Sequence, residues 1–95
     1  MSQHVHYNAV ITVLGRDRVG IIACVSQVLA ELQINVSDIS QTILNDMFTM
    51  IMLVDCSASV DSIESISARL KELGRQEKLE ITIQHKDIFN AMHRI

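Results

Sequence analysis

Apolar and polar positions divide the 95-residue chain into six segments with two different periods. Residues 5–14 are rich in β-branched side chains and predict a strand; Gly15-Arg16-Asp17-Arg18-Val19-Gly20 then breaks it with polar, turn-forming chemistry. From Ile21 the apolar positions Ile21, Ile22, Val25, Val28, Leu29 and Leu32 fall on one face of a helix. Residues 35–44 return to strand character, with Ile39 and Ile43 set against Ser40 and Thr42, and Asn45-Asp46 reads as a hairpin turn into a strand from Met47 to about Asp55. Residues 61–73 predict a second helix. Asp61 and Glu64 have the spacing of a capping box, Ile63, Ile66, Leu70 and Leu73 form the buried stripe, and Gly74 stands where a left-handed C-terminal cap belongs. Residues 79–85 alternate regularly as a last strand, and Asp87 is placed to cap a short terminal helix with Ile88, Phe89, Met92 and Ile95 on one side.

The order is β-α-β-β-α-β plus a tail. Strands one and three are apolar on both alternating sets of positions, whereas strands two and four carry polar residues on one set. A strand buried on both faces reads as a continuous apolar run, so one and three are expected in the centre of the sheet and two and four at its edges. That arrangement is an α+β, ferredoxin-like sandwich: a four-stranded antiparallel sheet with two helices on one face, followed by a short C-terminal helix. Residues 1–95 are expected to form one domain. Two helices cover only one face of such a sheet. One set of strand-three residues, Phe48, Met50, Met52 and Val54 or Thr49, Ile51 and Leu53, must therefore face away from them, and self-association into a homodimer or larger homo-oligomer is expected.

Composition narrows the function. Hydrophobic residues make up 48% and charged residues 20%, which describes a globular chain and argues against disorder. A net charge of −3 supplies no field to attract nucleic acid or an anionic membrane, and Tyr7, Phe48 and Phe89 are too few for base stacking. No apolar run is long enough to span a bilayer, and the opening MSQHVHYN has neither the basic nor the apolar region of a secretory signal. Cys24 and Cys56 sit far apart in apolar stretches, as buried thiols do, and a cytoplasmic location is expected.

Gly15-x4-Gly20 has the outline of a phosphate loop, but Ile21-Ile22 replaces the Lys-Ser/Thr that nucleotide chemistry needs, and no dinucleotide fingerprint is present; no cofactor is expected. His4, His6, His85 and His93 read either as a zinc or nickel site brought together by strands one and four or as solvated and packed histidines; the second reading is preferred, since His4 is near the terminus and His93 lies in the tail, and no metal is expected. No serine or carboxylate has a base and an orienting group placed beside it, so the chain does not read as an enzyme. The remaining feature is the 15–20 loop running straight into a helix, where unpaired backbone N–H groups and the positive dipole end favour an anion or carboxylate. Asp17 reads either as an N-cap of that helix or as an acceptor for a ligand ammonium. Asn35 reads either as a left-handed cap after the helix or as an amide offered to a ligand or partner.

The leading strand, Gly15-Arg-Asp-Arg-Val-Gly20-Ile-Ile, the helix ending Leu29-Ala-Glu-Leu, and Ile34-Asn-Val-Ser-Asp-Ile39 together resemble an ACT domain over essentially the whole chain. The short length and the ending Gln84-His-Lys-Asp-Ile-Phe-Asn-Ala-Met-His-Arg-Ile95 are similar to small stand-alone bacterial and archaeal ACT proteins. The resemblance implies a non-catalytic regulatory module that binds an amino acid where the loop meets a neighbouring subunit, and so places Gly15, Asp17, Arg18, Gly20, Asn35 and Asp38 in the ligand site. In the serine-sensing members the loop presents a His and an Asn, where this chain has Gly15 and Asp17; the family's Pro is Val19, while the Asn of strand two is kept as Asn35. Serine is therefore not implied. The resemblance also implies a regulated enzyme or regulator as partner. A ligand-free subunit docking through a sheet edge or the apolar sheet face is the alternative.

Overall fold

The structure, a computed structural model, describes residues 8–87. The expected terminal helix over 88–95, the start of strand one, and His4, His6 and His93 lie outside them. The described elements run β1 (Asn8–Arg16), α1 (Ile21–Glu31), β2 (Asn35–Leu44), β3 (Met47–Asp55), α2 (Ile63–Glu77) and β4 (Glu80–His85). The four strands form one antiparallel sheet in the order β2-β3-β1-β4, the ferredoxin-like arrangement, with the two wholly apolar strands in the middle.

One core joins the sheet to the helices. Register sets Ala9, Ile11 and Val13 of β1 opposite Val54, Met52 and Met50 of β3, so all six point to the same side. Against them pack Ile21, Val25, Val28 and Leu29 of α1, and Ile66, Leu70 and Leu73 of α2. The other set of β3, Thr49, Ile51 and Leu53, looks away from the helices; Ile51 and Leu53 keep 37% and 36% of their surface in solvent.

Between β2 and β3, Asn45 and Asp46 both take positive φ, 49° and 65°. That is the pattern of a two-residue turn matching the strand twist, and Asn and Asp adopt it without glycine. The turn locks the register outward: Leu44 faces Met47, Ile43 faces Phe48 and Gln41 faces Met50.

Several element ends differ from expectation. β1 continues through Gly15 to Arg16, because Gly15 pairs with Phe48 and its missing side chain leaves room for Leu79. α1 ends with Gln33, not Asn35, in the left-handed conformation (φ 60°). The N–H of Gln33 donates to the Ala30 carbonyl and that of Ile34 to the Leu29 carbonyl, so the helix is closed before Asn35 is reached. α2 is capped by Ser62, whose hydroxyl accepts from the Ser65 N–H at 3.1 Å, rather than by Asp61. It then runs past Gly74 to a left-handed Lys78. Gly74 is a packing glycine: a β-carbon there would drive into the backbone carbonyl of Leu79.

Candidate functional site

Helix α1 begins without a side-chain cap. Gly20 precedes it with φ 95°, and its side of the helix offers no side-chain cap to the first-turn N–H groups. The N–H groups of that turn and the positive end of the dipole therefore face outward. Nothing lies within 4 Å of where a Gly20 β-carbon would be, so the approach is open. The Asp17 side chain caps nothing; instead the Asp17 N–H donates to the Asp46 carbonyl at 2.7 Å and ties the loop to the tip of the β2–β3 hairpin. The capping reading of Asp17 is thereby corrected: Gly20 lies nearer the helix and takes the cap position, leaving the Asp17 carboxylate exposed.

Arg18 is engaged within the chain. Its guanidinium donates to the Glu77 carboxylate at 2.8 Å and to the Glu77 carbonyl at 3.1 Å, anchoring the loop to the end of α2. A cleft of about 420 Å³ opens in front of the helix, bounded by Asp17, Val19, Gly20 and Ile22 on one side and by Gln41, Ile43 and Phe48 on the other. Its size suits a small metabolite, and its walls are mostly apolar.

Asn35 and Asp38 are elsewhere. Asn35 faces Asp55 at the start of β2, and Asp38 faces Leu53 just after a register shift. Asp38 accepts from the Ile39 N–H at 2.8 Å. Asn35 lies six positions before the cleft-lining Gln41 along β2, about 20 Å, and Asp38 three positions before it, about 10 Å. The six expected site residues thus form two groups, the loop residues at the cleft and Asn35 with Asp38 farther back along β2. Gln41, Ile43 and Phe48 were not among the expected ligand-site residues. Counting outward from the Asn45-Asp46 turn would have set them opposite one another on the helix side.

β2 itself is the outstanding surface. All ten of its residues are exposed, including helix-side Ile39 at 46% and Ile43 at 55%. No described helix covers this edge, and the outer face of α1 adds Ile22 beside it.

Other chemistry is sparse. Both cysteines are free; burial, with the nearby Asp55 charge, pushes the Cys56 thiol up to about 11, which keeps it protonated and unreactive near neutrality. Cys24 is half-buried and donates to the Ile21 carbonyl. Among the described residues no group of three or more His, Cys, Asp or Glu is placed to hold a metal ion, and no helix is long and apolar enough to cross a membrane.

A family model for the ACT domain matches residues 8–84, from the first described strand residue to within one residue of the end of β4. The chain belongs to the ACT-domain family. Its relatives include small proteins of bacteria and archaea that match it from end to end. The UPF0237 protein of Clostridium perfringens is 53% identical over 88 residues, covering 93% of this chain and 99% of its own length. Among solved structures, an ACT domain protein from Streptococcus pneumoniae superposes with a TM-score of 0.78 at 39% identity, covering 92% of this chain and 98% of its own. A candidate glycine cleavage system transcriptional repressor superposes with a TM-score of 0.75 at 27% identity, covering 86% of this chain and 47% of that longer one. ACT domains are generally regulatory, commonly bind small molecules and oligomerise.

Proposed function

We propose that this ACT protein is a non-catalytic, cytoplasmic sensor that binds a small amino acid between two copies of itself and signals through the arrangement of the oligomer. One observation carries the reading: the cleft at Gly20 opens beside an edge strand exposed along its whole length. Two copies pairing their β2 edges antiparallel bring the Asp17–Gly20 loop of one protomer to the Asn35 and Asp38 end of its partner. A two-fold axis through the paired edges would close the gap of about 10 to 20 Å that lies between these groups along β2 within one chain. In such a site the first-turn amides of α1 take the ligand carboxylate, and Asp17 with Asp38 offers acceptors for its ammonium. Ligand then favours one quaternary arrangement because it touches both protomers only there. The transcriptional repressor at 27% identity, in which the matching part is under half of a longer chain, is consistent with a regulatory rather than a chemical role.

The test is a thermal-shift and calorimetric survey of the twenty amino acids, with the oligomeric mass measured alongside. A ligand at a hundred times its dissociation constant should stabilise the folded protein by about 2.7 kcal/mol. Asp17→Ala should remove that response while leaving the fold intact. A flat survey on an intact oligomer favours the second reading, a ligand-free docking subunit, whose support is the exposed pair Ile51 and Leu53 on the sheet face.

A further inference from the structure

A second and larger cavity, about 680 Å³, wraps the opposite edge of the sheet where α2 gives way to β4. Leu79 and Ile81 supply its apolar wall on the helix side of the sheet, Leu14 and Met47 reach it from the outer face, and the end of α2 supplies Lys71, Arg75 and Lys78. Two glycines bring these parts together. Gly74 lets α2 lie against the Leu79 carbonyl, and Gly15 leaves space for the Leu79 side chain.

The charges at this cavity are not equivalent. Arg75 is bound to Glu72, which neutralises it. The side chains of Lys71 and Lys78 make no hydrogen bond or ion pair among the described residues, and Glu80 is the single further acidic group on the lining. Two free ammonium groups against one carboxylate make a locally positive mouth on a chain whose net charge is −3. The apolar wall selects further. It offers a phosphoryl group nothing in exchange for its hydration, whereas a hydrocarbon body gains by entering.

We propose that this cavity is a binding site for a small carboxylate with an apolar body, the head held by Lys71 and Lys78 and the body lying against Leu79 and Ile81. The site stands apart from the amino-acid reading, because it uses the β4 edge and needs no second protomer.

The test is a titration of the ¹⁵N-labelled full chain, at constant ionic strength, with sodium hexanoate, hexylammonium chloride and inorganic phosphate in turn. Hexanoate should move the amides of Lys71, Gly74, Leu79 and Ile81 saturably, leave those of Ile21, Ile22 and Ala23 in place, and be matched by neither of the other two. The double variant Lys71→Gln/Lys78→Gln, whose changes lie on exposed positions, should melt as the parent does and bind hexanoate about fivefold more weakly. Glu80→Gln should tighten it. The proposal is overturned if hexanoate gives no saturable shift at these amides, if hexylammonium or phosphate binds there as well, or if the double variant keeps full affinity. Shifts confined to Ile21, Ile22 and Ala23 would assign hexanoate to the other cleft and likewise overturn it.

Discussion

The two helices start in opposite ways, and the difference runs through the halves of the molecule they belong to. α2 opens on Ser62, whose side chain closes the first turn, with Glu64 beside the positive dipole end. It then presses onto β4 so closely that Gly74 has no room for a side chain, and Ile81 is buried beneath it. α1 opens on Gly20 with no side-chain cap and no acidic residue in its first turn, and the strand beside it is exposed throughout. The α2–β4 half caps its helix start and buries its strand packing within one chain. The α1–β2 half leaves backbone donors and apolar edge residues for something else to satisfy. Incompleteness concentrated on one edge is what an assembling, ligand-binding module needs, since the same surface then serves both tasks.

The sharpest way to break the closed half is Gly74→Ala. The added β-carbon meets backbone rather than a flexible side chain, so α2 and β4 must part; a loss of about 3 kcal/mol is expected in urea unfolding. An unchanged midpoint would mean that the two elements are not packed as described. On the open half the corresponding change is Ile39→Asp. Because Ile39 is exposed in one chain, the monomer should lose less than about 0.5 kcal/mol, while the dissociation constant of the proposed β2-paired dimer should rise about a hundredfold as a carboxylate is forced into that contact. Analytical ultracentrifugation reads this directly, and an unaltered dimer would move the interface away from β2.

The helix starts themselves give two smaller effects of opposite kind. Ser62→Ala should cost about 1 kcal/mol, the usual loss of an N-cap, without touching ligand response. Asp17→Asn should be close to neutral in stability, since its carboxylate caps nothing, yet it should weaken amino-acid binding by calorimetry. If Asp17→Asn instead destabilises by as much as Ser62→Ala, the contrast between the two helices is wrong.

The fold was legible because its decisive signals are local and periodic. The unbroken apolar character of β1 and β3 put them in the centre, and the bounds of β2 and β3 followed from Asn45-Asp46. The caps were less legible. Gly74 carries the residue type of a helix end but lies four residues before the left-handed Lys78 and makes room for the Leu79 carbonyl in the turn that follows, while Gln33 and Lys78 take left-handed conformations with no glycine to signal them. The site was half legible. The 15–20 loop stood out by its glycines and by resemblance to the ACT family, but Gln41, Ile43 and Phe48 enter the cleft only through pairing register. Arg18, expected to meet a ligand, is held by Glu77, 59 positions along the chain.

The pairing of Ala9 with His85 has a wider consequence. β1 begins and β4 ends as antiparallel neighbours, so both described ends of the chain leave the sheet at the same place, and Asn8 lies opposite Asp55, far from the hairpin tip that holds Asp17. Further chain joined at either point departs from the pole opposite the Gly20 cleft. A unit wired in this way is portable: it can be spliced beside other machinery with the pole that carries the Gly20 cleft left clear.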